Sequence, residues 1–179
     1  MTTTPAAELR TFTTLEAVRD DLIEVYSDVR APLLHLPNYA IPAFSERLDR
    51  HGSETGFGAV LAYADGRPVG YVYGNTIERG DRYWQRTNPA PADQYTAGPA
   101  VALKEGGVRP DWQKTGIARR IHDAILATRE ERYVTFMVNP AAGDGKVHAL
   151  YTSWGYEDIG QSQPSAESPV LTVMIRAIH

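Results

Sequence analysis

The 179-residue chain has no cysteine. That excludes a disulfide framework, a thiolate nucleophile and any zinc site built on sulfur. No run of about 18 apolar residues, the least a membrane-spanning helix needs, occurs anywhere. The stretch from Met1 to Leu9 also lacks the apolar core of a signal peptide. Neither sign of charge dominates: 18 Lys and Arg stand against 22 Asp and Glu, a net charge of −4. So mild a balance argues against a nucleic-acid partner, which calls for a basic stripe. The expectation is a soluble, cytoplasmic, unprocessed protein with no membrane and no nucleic-acid partner. Three motifs are missing as well. Gly145-Lys146 is followed by Val147 and has no glycine five residues upstream, so there is no phosphate-binding G-x-x-x-x-G-K-[ST] loop. No G-x-G-x-x-G follows a strand pattern, and no G-x-S-x-G elbow exists. The five histidines show no metal-ligand spacing, so no metal is expected.

What is present suits one globular domain. Hydrophobic residues make up 42% and charged residues 22%, ordinary values for a compact protein, and the length fits a single domain over residues 1–179. Glu8 to Thr13 alternates weakly, as a short strand does. Thr14 is positioned to cap a helix carrying Leu15, Val18, Leu22, Ile23, Val25, Tyr26 and Val29 at helical spacing. Three prolines break Arg30 to Ile41 into a loop, and a second helix fits Pro42 to Arg50. The period then changes to two. Gly58 to Tyr63 and Val69 to Gly74, separated by Asp65-Gly66-Arg67, predict a hairpin. Glu78 to Pro99 is polar and rich in turn residues, a long surface loop of the functional or mobile kind. Ala100 to Val108 reads as a strand, Gly116 to Arg129 as an amphipathic helix and Tyr133 to Val138 as a buried strand. Asp144 is expected to cap a helix through Val147, Leu150 and Trp154, ended by Gly155. Two last strands fit Tyr156 to Ile159 and Val170 to Ile178. The sum is a mixed α/β domain, a central sheet flanked by helices.

The chemistry concentrates in Val108-Arg-Pro-Asp-Trp-Gln-Lys-Thr-Gly-Ile-Ala118. A strand ends, Pro110 stops it, and a short loop feeds a helix N-terminus at Gly116. Such a junction leaves backbone N–H groups unpaired beside the positive end of a helix dipole, which suits a phosphate. Gly116 allows close approach of an anion. Lys114, Arg119 and Arg120 add positive charge. On local chemistry alone, a plain connection with solvated cations fits equally well.

The run Gln113-Lys-Thr-Gly-Ile-Ala118 resembles the pyrophosphate loop Q/R-x-x-G-x-G/A of the GNAT acyltransferases, with Val108-x-Pro110 at the usual distance before it. Ala149-Leu-Tyr-Thr-Ser-Trp-Gly-Tyr156 resembles that family's second signature, a helix ending in A-x-Y-x-x-x-G followed by an aromatic residue. The two lie about 30 residues apart in the right elements, and the element order also matches. The resemblance implies the GNAT fold and acetyl-CoA as co-substrate. Coenzyme A pyrophosphate would lie on the N–H groups of Lys114, Thr115, Gly116, Ile117 and Ala118, with Gln113 and Arg119 close by. The pantetheine arm would pair like an added strand with Gly106, Gly107 and Val108, and Tyr151 would sit beside the sulfur. Asp144 stands where many members carry a cofactor-contacting asparagine, a departure reinforced by extra residues at Ala141 to Gly143.

Acyl transfer needs a polarised thioester carbonyl, a neutral amine and a proton for the leaving thiolate. A backbone N–H near Val108 would serve the carbonyl. Tyr151, with a reference pKa of about 10, would protonate the thiolate, although its ring also fits a core position. Glu105, three residues before Val108, is the candidate base, directly or through water; its other reading is an exposed strand carboxylate. Tyr83 and Trp84, and His35 near Tyr39, fall where the family builds its acceptor pocket, and would either contact the acceptor or only anchor their loops. His122 falls on the polar side of its helix and reads as structural or solvated. The expected activity is transfer of an acetyl or other short acyl group to the primary amine of a small molecule, by a monomer or homodimer. The alternatives are acetylation of protein N-termini or lysines, and a non-catalytic acyl-CoA sensor.

Overall fold

The computed structural model describes residues 6–178. Seven strands form one mixed sheet in the order β1-β2-β3-β4-β5-β7-β6. They are β1 Glu8–Phe12, β2 Gly58–Ala64, β3 Arg67–Ile77, β4 Ala100–Val108, β5 Tyr133–Val138, β6 Glu157–Ser162 and β7 Leu171–Ala177. Among the described residues six α-helices accompany them: α1 Arg19–Val29, α2 Ile41–Ser53, α3 Arg82–Gln85, α4 Asp93–Thr96, α5 Ile117–Ala127 and α6 Lys146–Ser153. The chain divides into two compact units. One holds the described residues up to Asn75 with Lys104–Arg129, and the other holds Thr76–Leu103 with the described residues from Glu130 onward.

In the first unit the hairpin of β2 and β3 turns where expected. Asp65 (φ 51°) and Gly66 (φ 75°) both take left-handed conformations, the two-residue turn whose twist suits antiparallel strands. Every β2 residue before Ala64 is buried, which explains its unbroken apolar run. The core gathers Leu22, Val25 and Tyr26 of α1, Phe44 and Leu48 of α2, and Ala59, Leu61, Tyr71 and Tyr73 of the hairpin. Tyr26 and Phe44 stack with ring centroids 3.6 Å apart. Burying one such side chain is worth about 1.5–3 kcal/mol. Helix α5 packs closely enough on β3 that a Cβ at Gly70 would stand 2.8 Å from the Ile121 side chain, so glycine is required there by space.

In the second unit β5 pairs antiparallel with β7 along its whole length, and β7 with β6. The parallel ladder between β4 and β5 spans only Ala100–Ala102 against Tyr133–Thr135. Among the described residues, this ladder does not extend past Ala102.

Four expectations need correction. Thr14 caps no helix: α1 starts at Arg19, behind a turn in which the Val18 N–H donates to the Leu15 carbonyl at 3.0 Å. Leu15 therefore joins the core from that turn rather than from the helix. Asp144 does not cap α6; the cap is Gly145 (φ 86°), and Asp144 (φ 56°) lies in the preceding 3-10 turn Ala142–Gly145. His122 is not on a solvated face, being only 4% exposed. Its position next to Ile121 and three before Ile125 puts it inside the buried arc of α5. The long loop Glu78 to Pro99 contains two single-turn helices, α3 and α4. The reading of a missing signal peptide rests partly on residues 1–5, which lie outside the described residues.

Candidate active site

The turn between β4 and α5 has the geometry that an anion requires. Lys114 (φ 60°) and Gly116 (φ 84°) are both left-handed, so the chain coils back twice before Ile117 enters the helix. Among the described residues, no acceptor takes a hydrogen bond from the N–H groups of Gly116, Ile117 or Ala118; the first helical bond runs from Arg120 to the Gly116 carbonyl at 3.2 Å. Those donors lie at the positive end of the eleven-residue α5. A Cβ at Gly116 would meet nothing within 4 Å, so the space beside this residue is open. Gln113, Lys114, Thr115, Gly116 and Ala118 are exposed, while Ile117 is buried and pins the turn to the core. Thr115 turns its hydroxyl inward, onto the Trp112 carbonyl at 2.6 Å. The Arg119 side chain pairs with Asp123 at 3.1 Å, one helical turn on. These features fit a pyrophosphate; no charged side chain needs to be buried for it.

The turn is held at its start by a residue that the sequence did not single out. The Arg109 side chain, 6% exposed, donates to the Pro68 carbonyl at 2.6 Å and to Asp28 of α1 at 2.6 Å. Its backbone N–H donates to the Val69 carbonyl at 2.8 Å. No sequence pattern marks it, because both partners are distant in the chain.

Strand alternation then fixes the direction of the β4 backbone. With Arg109 bonded to β3, the N–H and C=O of Gly107 also face β3, and a Cβ on Gly70 would stand 3.5 Å from the Gly107 carbonyl. The N–H of Val108 and the C=O of Gly106 therefore face the opposite edge. That edge carries the Val108 donor and the Gly106 acceptor, whose oxygen already takes a bond from Arg30 Nη2 at 3.1 Å and keeps a second lone pair for an extended ligand.

Glu105 is not the exposed carboxylate of the simpler reading. Its side chain is 16% exposed and pairs with Arg30 at 2.7 Å. Its Oε1 also accepts from the Tyr71 hydroxyl at 3.3 Å. Burial works against the charge of Arg30, but the carboxylate of Glu105 holds the guanidinium above its ordinary pKa. Burial, aided by the charge of Glu105, raises the Tyr71 phenol well above its usual range, so it remains a donor. In the same layer the Tyr26 hydroxyl donates to the Tyr39 carbonyl at 2.9 Å, which fixes the half-buried Tyr39. His35 is exposed. The unit thus brings Glu105, Gly106, Gly107 and Val108 onto one strand that leads directly into the turn before α5. Arg30 and Tyr71 were missed for the reason Arg109 was.

The remaining candidates belong to the second unit. Tyr151 on α6 is half-buried, edge-on to Phe136 (4.4 Å between centroids) and to Trp154 (5.3 Å). Asp144 is exposed in its left-handed turn. Tyr83 and Trp84 are 8% and 5% exposed, packed with Ile77, Ala100, Ala102, Val173 and Ile175. The Tyr83 hydroxyl hydrogen-bonds Thr135 at 3.0 Å. This burial favours the anchoring alternative for both aromatics. Among the described residues, no group of three or more His, Asp or Glu side chains could hold a metal ion, and no helix is long and apolar enough to cross a membrane.

The acetyltransferase (GNAT) family model matches residues 15–156. No curated protein matches the chain in sequence. Solved structures with the same fold include the ribosomal-protein-S18-alanine N-acetyltransferase of Escherichia coli, at 12% identity and TM-score 0.62, covering 96% of this chain and 94% of that one. Another is aminoglycoside 6'-acetyltransferase type Ii, at 16% identity and TM-score 0.63, with 96% and 97% covered. A third is the PaiA N-acetyltransferase of Thermoplasma acidophilum in complex with coenzyme A, at 12% identity and TM-score 0.58, with 95% and 99% covered. At such identities the likeness speaks for the fold, whereas the family model speaks for the sequence itself. With a family-model match running from residue 15 to residue 156, the chain belongs to the acetyltransferase (GNAT) family.

Proposed function

We propose that residues 1–179 act as one acetyltransferase domain, which moves an acetyl group from acetyl-CoA to the primary amine of a small molecule by direct attack. The observation that carries the reading is the turn at Lys114 to Ala118, with two left-handed residues and unpaired N–H groups at the start of α5. It supports a pyrophosphate bound through Lys114, Thr115, Gly116, Ile117 and Ala118, with Gln113 and Arg119 beside it. The outward edge of Gly106 to Val108 supports pairing of the pantetheine amides along β4.

The amine nitrogen attacks the thioester carbonyl carbon, a C–N bond forms, and the C–S bond breaks. The Val108 N–H stabilises the negative charge that develops on the carbonyl oxygen. Glu105, directly or through water, takes the proton that the nitrogen loses. Tyr151 gives its hydroxyl proton to the departing thiolate, and the two protons are later exchanged with solvent. Glu105 is half-buried behind Arg30, which suits a compact amine better than a folded protein surface. Tyr39 and His35, from the segment after α1, are assigned to the acceptor side. Tyr83 and Trp84 support their loop, and Asp144, exposed in the 3-10 turn before α6, is assigned to the cofactor side.

Release of free thiol from acetyl-CoA, measured over a panel of small primary amines and N-terminal peptides, tests this. Saturable release with small amines and none with peptides is expected. Release with peptides alone would make the chain a protein acetyltransferase. Binding of coenzyme A with no amine-dependent release would leave the sensor reading.

A further inference from the structure

Arg30 is the first residue after α1, 75 positions before its partner Glu105, and nothing in its sequence neighbourhood announces a role. In the structure a single guanidinium nitrogen, Nη2, makes two bonds on β4. It donates to Glu105 Oε1 at 2.7 Å and to the Gly106 carbonyl at 3.1 Å. Both contacts matter for the geometry of the strand. Gly106 and Gly107 carry no side chains to fix the peptide plane between them, so an external hydrogen bond has an unusually large say in its orientation. That carbonyl lies on the edge of β4 facing away from β3. Glu105, in turn, has its Oε1 filled by Arg30 and by the Tyr71 hydroxyl at 3.3 Å. Among the described residues, no donor reaches Oε2, and Oε2 is not among the fully buried unpaired atoms. One carboxylate oxygen is therefore clamped and the other is left open. A charge-assisted bond of this length, 30% exposed on one side and 16% on the other, is stronger than a surface pair and holds one rotamer.

We propose that Arg30 is a positioning residue for the transfer reaction: its guanidinium locks the Glu105 carboxylate to the Gly106 peptide, so that Oε2 is presented to the acceptor amine or its relay water. The inference rests on the reading of Glu105 as the base. Its energetic logic is that of orientation. A misplaced base costs rate rather than binding, and displacement by about 1 Å can cost about 10²-fold. The Nε of Arg30 is buried without a partner, a cost that a purely space-filling residue would not need to bear. Tyr71 shares the clamp but is more deeply buried, so Arg30 is the cleaner group to perturb.

The test compares Arg30→Gln, Arg30→Ala, Arg30→Lys, Glu105→Gln and Arg30→Gln/Glu105→Gln with the parent, using the panel amine of highest turnover and acetyl-CoA. Thermal unfolding is followed alongside. Arg30→Gln should lose about tenfold to a hundredfold in kcat, with the KM for acetyl-CoA little changed. Arg30→Lys should recover part of the loss, and millimolar guanidinium chloride should restore Arg30→Ala. The double variant should be no slower than Glu105→Gln, since the two residues act through one carboxylate. It also removes both charges together, so it folds without a stranded ion. Losses that multiply in the double variant, or Arg30→Gln within twofold of the parent while Glu105→Gln is impaired, would overturn the role of Arg30 alone. If Glu105→Gln is within twofold of the parent, or no panel amine is acetylated, the base reading fails and takes this inference with it.

Discussion

Replacing Gly116 by valine tests the proposed pyrophosphate site, and the structure supplies both halves of the expected effect. At φ 84° a β-branched residue is strained, at a cost of about 1–2 kcal/mol for the left-handed conformation. The added side chain would meet no protein atom, since even Cβ has nothing within 4 Å. Folding should therefore weaken modestly and without a packing clash. The ligand is affected differently. The open space beside Gly116 is the space an anion needs in order to reach the N–H groups of Gly116, Ile117 and Ala118. Hydrogen bonds to charged groups are worth about 1.5–3 kcal/mol each. Loss of two would weaken coenzyme A binding by about 3–6 kcal/mol, or about 10²–10⁴-fold in Kd. Gly80 is a matched control, with φ 88° and nothing within 4 Å of its Cβ, but outside the turn. Isothermal calorimetry with coenzyme A should find Gly80→Val unchanged in affinity and Gly116→Val severely weakened, with similar losses of thermal stability. Equal affinities in the two variants would mean that the turn is only a connector.

Three further outcomes follow from individual side chains. Tyr151→Phe keeps the edge-on packing against Phe136 but removes the hydroxyl, so turnover should fall by about 10²–10⁴-fold with cofactor affinity retained; single-turnover rates within twofold of the parent would remove the acid role. Trp84→Ala should lower stability by about 3–5 kcal/mol, because the ring is 5% exposed. A raised KM for the acceptor at unchanged unfolding temperature would instead return Trp84 to the acceptor pocket. His51 hydrogen-bonds the Tyr73 hydroxyl at 3.0 Å, and burial, followed by the charges of Lys104, Arg50 and Arg47, pushes its pKa down to about 3. Its unfolded pKa is near about 6.5, so the unfolded chain binds the extra proton between those values. Stability should be full above about pH 6.5 and decline as pH falls toward 3. Thermal unfolding of His51→Gln should show a flatter dependence over that window, and an unchanged slope would contradict the burial argument.

The parts of the molecule that sequence revealed are those written in local patterns. Period-two stretches located the hairpin, and the Asp65-Gly66 pair located its turn. The junction from β4 into α5 was legible because proline, glycine and a helical apolar stripe follow one another closely. Long-range pairing was invisible. Arg30 meets Glu105, and Arg109 meets Asp28, only because the sheet brings α1 against β4, so neither residue carries a local signal. Tyr83 and Trp84 lie in a polar, turn-rich stretch that reads as surface, yet the single-turn helix α3 carries them into the core. His122 shows the limit of face counting: a polar residue flanked by isoleucines at positions one before and three after it is carried inward by its neighbours.

The proposed direct transfer from acetyl-CoA to an amine is tested most directly with acetyl-CoA labelled with carbon-13 in its acetyl group. After reaction with the best panel amine, mass spectrometry of both the amine and the intact protein should find one labelled acetyl on the amine for each thiol released, and no label on the protein. Label held covalently by the protein, or thiol released without labelled amine, would contradict the account.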